Sequence, residues 1–360
     1  MPRNIDWTTT LFMAIYHLAL LVLLPLYLYH YTPSWTLIGI TLALFVLCNM
    51  AVTAGYHRLY SHRTFDVPLL IELPVLLFST LATQGSALRW SYDHRLHHRH
   101  VDKEGDPYNV KDGFWHAHIL WMFDKRPPLE KRVIHDLWNK PLLRFQHKHY
   151  TILFTVLSIA TIALVGFVTD DYFGAFVFAF LLRTFLGHHT TWLINSAAHY
   201  WGSKTFSHEH TAVNNWLIAL FTFGEGYHNY HHTFASDYRN GIRWYQWDPT
   251  KWAIWTLSKL GLARNLKTVN HCIIQRKIVE ERTRYALEHA GQSDIAQRIE
   301  QAAQNLRERL ITLSALLKEY HQASKDAREQ IARQIKEAKQ AVRTEWRSWA
   351  STLNQAYTVA

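Results

Sequence analysis

The chain has 360 residues, among them 24 histidines and 15 tryptophans, and a formal net charge of +10. Its two cysteines, Cys48 and Cys272, lie far apart and form no CxxC pair, which excludes an iron–sulfur site and a structural zinc ribbon. The basic residues form no stripe with interleaved aromatics, so no nucleic-acid partner is expected, and the charge reads as a cytoplasmic loop surface.

A mean hydropathy of −0.14 hides strong apolar runs, because a long polar C-terminal segment dilutes them. The start, Met1 to Trp7, is short and no small-residue cleavage site follows the first apolar run, so no cleavable leader is expected. That run, 11–31, is long enough to span a bilayer, which takes roughly 20 apolar residues. A second, 35–56, follows Thr32-Pro33-Ser34, and so short a connection forces an antiparallel hairpin. Runs 151–168 and 172–194 form a second hairpin about Thr169-Asp170-Asp171. The apolar excess in tryptophan suits rings at headgroup level.

Histidine clusters punctuate these runs: His57-Arg-Leu-Tyr-Ser-His62, His94-Arg-Leu-His97-His98, Asn195-Ser-Ala-Ala-His199 and His228-Asn-Tyr-His231-His232, with a looser pair at His208 and His210. Imidazole is the commonest metal-ligating side chain near neutral pH, and nine such rings suffice for about two metal ions. Clusters serving one site must share one side of the membrane, so an even number of crossings separates each from the next. Run 69–88 lies between His62 and His94 and therefore reads as a re-entrant or interfacial segment, broken by Pro74. Run 216–223 is too short to cross. Four crossings remain, with every cluster on the face that carries the Lys/Arg-rich loop 125–148, and that bias places the histidines and both termini in the cytoplasm.

On a helix, positions i, i+3 and i+4 share a face, so each HxxHH triplet could present three rings to one centre. His57 and His62 are five apart, about 140° on an ideal helix, and converge if the helix ends between them.

These stretches closely resemble the membrane-bound acyl-CoA desaturase family of the delta-9, or stearoyl, type. The matching segments are Thr53-Ala-Gly-Tyr-His57-Arg-Leu-Tyr-Ser-His62-Arg, Asp93-His94-Arg-Leu-His97-His98, Trp192-Leu-Ile-Asn195-Ser-Ala-Ala-His199 and Gly224-Glu-Gly-Tyr-His228-Asn-Tyr-His231-His232-Thr-Phe. The resemblance covers residues 8–268. It implies a non-haem di-iron centre, O2 as co-substrate and an acyl chain in a bent tunnel. Carried over by motif, one iron takes His57, His62, His94, His98 and His232. The other takes His97, His199, His228 and His231, with Asn195 through a water.

The expected fold is therefore all-α and multi-pass: four transmembrane helices in two hairpins, topped by a cytoplasmic histidine-rich di-iron cap, in the cell inner membrane if the source is bacterial. The expected domains are the desaturase unit, 8–268, and a C-terminal helical extension, 269–360. The expected reaction inserts a cis double bond at the delta-9 position of a saturated acyl chain carried on CoA. An unactivated methylene has no acidic proton, so the reaction calls for an oxidant generated from O2 at iron. Asp93, Asp106 and Glu225 are expected to accept ring N–H groups of the ligands. Trp192 is a candidate tunnel wall, and Arg89, Arg95 and loop 125–132 are candidate contacts for the carrier's phosphates. Tyr92 stands where the family's animal members carry Arg, which leaves acyl carrier protein and phospholipid open as carriers. Phe45, on a face shared with Thr41 and Cys48, is expected to limit chain length.

A membrane di-iron fatty acid or alkane hydroxylase is the alternative, separated by box spacing. A zinc protease is excluded by the absence of HExxH, and a metal transporter by ligands lying beyond the helix ends. The family's electron donors are ferredoxins or b-type cytochromes with a reductase. No His-Pro-Gly-Gly haem motif occurs here, so the donor is expected to be a separate protein. His100, His116, His118, His188, His189, His208 and His210 exceed what two metals bind and read as structural, as do His17 and His30. From Asp294, apolar positions recur in steps of three and four, from Ile295 through Leu317 and more weakly to Trp349. They predict a long amphipathic helix or hairpin, with Gly291 and Ser293 as stop and restart.

Overall fold

The computed structural model describes residues 4–290 and 294–359; Gly291 and Ser293 lie outside the described residues. It is helical throughout, with no strand among them. Two compact units emerge: residues up to Ser203 with His210–Lys267, and Lys204–Glu209 with residues from Thr268 onward.

In the first unit, three helices are long and apolar enough to cross a membrane: Trp7–His30, Trp35–Ser61 and Tyr150–Thr169. At 1.5 Å per residue even the shortest spans about 30 Å, the thickness of a bilayer core. Local chemistry sets their ends. Asp6 accepts from the Thr9 N–H and Ser34 from the Leu37 N–H, each satisfying an N-terminal amide. Asp170 adopts left-handed φ 52° to close Tyr150–Thr169. Leu21, Val22, Ile159 and Phe167 are well exposed, as lipid-facing side chains are, and Tyr29, Tyr31, Trp35 and Tyr172 crowd the ends where the chain turns back.

The expected fourth span runs as Tyr172–Gly174, a π-helical Ala175–Leu182 and Arg183–Asn195 end to end. It is less apolar than the other three because it carries Arg183, His188 and His189. Arg183 is buried and donates to the carbonyls of Ala179 (2.7 Å) and Leu81 (2.9 Å), so its charge faces protein.

Between His62 and His94 lies the helix Leu69–Leu81, whose 13 residues make roughly 20 Å, too short to cross. The expectation that Pro74 breaks this segment is corrected: the helix runs through it. A single proline forfeits only the bond to the Leu70 carbonyl on an exposed turn, whereas the stop comes later, where Thr83 (φ 60°) and Gly85 (φ 87°) leave the right-handed region. The next helix, Ala87–His100, then starts from Ser86 as its cap.

The second unit contains helices His271–Ala290, Asp294–Gln322 and Lys325–Val359. Ile299, Ala302, Leu306, Leu310 and Leu313, from the predicted periodic series, are buried with Val279, Ile335 and Trp349. The series therefore folds back on itself as a hairpin rather than continuing as one long helix. Glu281, 1% exposed, accepts from the backbone and ring of His208 and pairs with Lys277 and Arg284, which gives His208 a structural partner.

Candidate metal centre

The nine histidines drawn from four separate motifs meet in the first unit as two groups of converging nitrogens. One contains His57, His62, His94, His98 and His231; the other His97, His199, His228 and His232. Within each group the ligand atoms all lie within 4.8 Å of one another. The expected division is corrected at two positions: His231 and His232 exchange groups. The Nε2 of His231 stands 3.0 Å from that of His57 and 2.9 Å from that of His98. The Nε2 of His232 stands 3.2 Å from that of His97 and 3.1 Å from that of His228. The helix His228–Thr233 is consistent with the exchange, since 228 and 232 lie one turn apart on one side, while 231, rotated about 100° from 232, turns inward to the other group.

His57 and His62 converge by a device not expected from spacing. The helix does end between them, at Ser61, but it also widens before it ends. Val52–Ser61 is π-helical, and the His62 N–H donates 3.1 Å to the His57 carbonyl, an i→i+5 bond. The extra residue per turn brings the two rings within 4.9 Å, centroid to centroid.

The outward-facing nitrogens of His57, His94, His97 and His199 meet polar partners, which leaves their inward ones as lone-pair donors. The Glu225 carboxylate lies 2.9 Å from His57 Nδ1 in an ion-pair contact, and Asp106 accepts from His97 Nδ1 at 2.8 Å. Asp93, expected in the same role, is corrected. It pairs with Arg89 at 2.8 Å through one oxygen and with Arg126 at 3.1 Å through the other, so both carboxylate oxygens are taken by arginines. Two anchors were not anticipated. Thr211 Oγ1 lies 2.7 Å from His199 Nδ1 and donates to Asp102 at 2.6 Å, and the Tyr108 hydroxyl lies 3.3 Å from His94 Nδ1. A hydroxyl far along the chain carries no signal in the sequence.

Behind Glu225 sits a buried ion network. Arg58, 1% exposed, donates to Glu225 at 2.9 Å, to Asp248 at 3.0 Å and to the Tyr238 carbonyl at 2.8 Å. Asn240 also donates to Glu225, at 2.6 Å. Burial alone would raise the Glu225 pKa, but His57 and Arg58 hold it down at about 2, so the carboxylate is charged. The flanking glycines are required sterically. A Cβ on Gly224 (φ 101°) would lie 2.5 Å from Asp248 Oδ1, and one on Gly226 would collide with the Ala219 backbone.

Burial, reinforced by repulsion among the rings, pushes the pKa values of His94, His98, His228, His231 and His232 well below the ordinary imidazole range. They are neutral and ready to ligate. An all-imidazole donor set with carboxylate-anchored rings fits first-row transition metals such as iron.

A cavity of about 440 Å³ leads to this centre, walled by Phe12, Met13, Tyr150, Phe154 and Trp192, with Arg89 and Arg126 among its polar lining. A smaller space of about 30 Å³ touches His57, His94, His97 and His228 and shares Trp90, Thr191 and Asn195 with the larger one. Gln84 ties those shared walls together, donating to Thr191 at 2.8 Å and accepting from the Trp90 indole at 3.3 Å.

Trp192, Asn195 and Arg89 thus lie along the cavity. Arg95 and Phe45 do not line either space. Arg95 is committed to Asp136 (2.6 and 2.9 Å) and to the carbonyls of Tyr60, Ser61 and Val133. Phe45 packs on Phe223 with centroids 5.8 Å apart, while Cys48 accepts from Arg183. Tyr92 is buried in the core rather than at the cavity. Of the looser pair, the His210 ring lies 5.2 Å from His232, whereas His208 belongs to the other unit.

Residues 33–265 match the family model described as fatty acid desaturase. The chain is 40% identical over 236 residues to acyl-CoA desaturase 1 of Saccharomyces cerevisiae, covering 65% of this chain and 46% of that protein. It is 41% identical over 237 residues to a probable acyl-CoA desaturase of Schizosaccharomyces pombe, covering 65% and 50%. The sn-2 palmitoyl-lipid 9-desaturase of Nostoc is 35% identical over 270 residues, covering 73% and 90%. The chain spans about half the length of the two yeast relatives.

Proposed function

The chain belongs to the fatty acid desaturase family, and we propose that it is an integral membrane acyl desaturase that places a cis double bond at the delta-9 position of a saturated acyl chain, with acyl-CoA as substrate. The observation that carries this reading is the pair of histidine clusters at the inner end of an apolar-walled cavity. Names of the relatives favour desaturation over the hydroxylase alternative, and they include both acyl-CoA and lipid-linked substrates.

Two irons would be held by the nine histidines, in the grouping described above, with Asn195 close enough to the passage to act through a water. When bound, the irons supply the redox chemistry with O2 that an unactivated C–H bond demands. The protein's own residues do the rest. Glu225, Asp106 and Thr211 fix ring tautomers and orientation. Apolar walls bury the acyl chain, worth roughly 0.8 kcal/mol per methylene, and keep water from the reacting carbons. Arg89 and Arg126 suit the anionic end of the carrier, as fixed donors for phosphate.

The fourth crossing is proposed at 172–195, and convergence of all nine rings supports a single-sided site. The basic loop 125–148 on that side supports a cytoplasmic orientation. Electrons would come from a ferredoxin or b-type cytochrome served by a reductase, steered by the basic face. The test is expression of the chain in a desaturase-deficient host with double bonds mapped in its lipids, repeated with His97→Ala. New delta-9 double bonds lost in the mutant are expected; hydroxylated product, or double bonds that persist in the mutant, would overturn the proposal.

A further inference from the structure

Four histidines outside the two clusters surround one side chain. His189, His188, His118 and His17 place their ring centroids 4.8, 5.1, 5.8 and 6.3 Å from Trp192, and His17 lies nearly parallel to the indole at 16°. They arrive from three segments: His17 from the first helix, His118 from the short helix Phe114–His118, and the other two from the helix that carries Trp192.

Hydrogen bonds lock the rings to one another. His17 Nδ1 lies 2.7 Å from the Met13 carbonyl, and His17 Nε2 lies 3.2 Å from His189 Nε2. His189 Nδ1 continues to His118 Nε2 at 3.1 Å, and His118 Nδ1 to Ser196 Oγ at 2.9 Å. The Ser196 hydroxyl also lies 2.8 Å from the Trp192 carbonyl; when its one hydrogen points at His118 rather than at that oxygen, each of these four bonds receives one hydrogen while all three rings stay neutral. His188 is held separately, between the Tyr16 hydroxyl (2.9 Å) and Thr83 Oγ1 (2.6 Å).

Aliphatic side chains would fill this position in a helix bundle without any polar group to satisfy. Apolar packing, however, tolerates rearrangement, whereas a satisfied hydrogen-bond network specifies one arrangement. What it specifies here is Trp192, which is 3% exposed and lines the large cavity beside Thr191 and Asn195, the residues shared with the passage to the clusters.

Resting on the proposed desaturase reading, we infer that His17, His118, His188 and His189 are positioning residues, which hold the Trp192 indole in one orientation and so set which methylene stands opposite the metal centre. Methylenes along a saturated chain are chemically alike, so their selection rests on the wall. One methylene in an apolar pocket is discriminated by about 10- to 200-fold, and a loosened wall gives up part of that factor.

The experiment expresses the full chain in a desaturase-deficient host and determines double-bond positions by mass spectrometry of derivatised fatty acids, for wild type, His189→Leu, His189→Asn and Tyr16→Phe. His189→Leu keeps bulk but removes both ring bonds, and it is expected to raise the ratio of neighbouring isomers to the main one about tenfold with iron content unchanged. His189→Asn keeps one polar edge toward His118 and should fall between. Tyr16→Phe removes a single hydroxyl from His188 and should shift the ratio in the same direction by less. Should His189→Leu fail to accumulate, Tyr16→Phe decides alone. Wild-type isomer ratios in the variants that accumulate overturn the inference, whereas a wild-type chain that forms no double bonds overturns the desaturase reading instead.

Discussion

The Nδ1 atom of His57 lies 2.9 Å from Oε2 of Glu225, while the other oxygen of that carboxylate takes two N–H groups of Arg58. One buried anion therefore orients a metal-facing ring and neutralises a buried cation. Glu225→Gln keeps the volume but not the charge, and it should lower metal retention or activity about 10- to 100-fold. Glu225→Ala also strips Arg58 of a partner and should destabilise the protein by about 3–5 kcal/mol. Metal content per chain and the thermal midpoint measure these two losses separately, and a fully loaded, fully stable Glu225→Ala protein would contradict the assignment.

Thr211 links His199 to Asp102 through one hydroxyl. Thr211→Val preserves shape and removes that link, so roughly a 10-fold loss or more in metal affinity is expected, with Thr211→Ser restoring most of it. Equal affinity for the valine and wild-type proteins would remove Thr211 from the site.

Acid should destabilise the metal-stripped protein. The folded chain keeps His94, His98, His228, His231 and His232 neutral at pH values where the unfolded chain, titrating near 6.5, has taken up protons. The unfolded state then binds more protons, so stability falls as pH drops below about 6.5 and is insensitive to these groups well above it. Thermal midpoints of chelator-treated protein in detergent between pH 5.5 and 8 give the sign directly; a midpoint that rises toward pH 5.5 would refute it.

Arg89 and Arg95 should separate cleanly in kinetics. Arg95 holds Asp136 and three carbonyls away from the cavity, so Arg95→Ala should cost roughly 3 kcal/mol of stability and leave KM for the acyl thioester near wild type. Arg89 lines the cavity, so Arg89→Ala should raise KM. A KM defect confined to Arg95→Ala would reverse these roles.

Much of this was legible beforehand. Membrane-length runs show as composition, and the HxxHH spacing shows as a shared helical face, since both are properties of contiguous sequence. Glu225 and Asp106 were within reach because each lies a few residues from a histidine motif, although the same reasoning favoured Asp93, which the arginines claim. Phe45 and Arg95 were harder, since facing a cavity depends on which neighbours arrive on the other side of the helix.

The one-dimensional pattern thus determined the ligand types, the membrane-spanning character and the amphipathic helical character of the C-terminal unit, because periodicity and spacing act within a few turns. Tertiary structure alone decided that His231 joins His57 while His232 joins His97, that the helix widens at Val52–Ser61, that Thr211 bridges to Asp102, and that four further histidines enclose Trp192. These pairings join residues up to about 175 positions apart. Their partners are selected by packing and by the need to satisfy every buried polar group, neither of which a local stretch of sequence encodes.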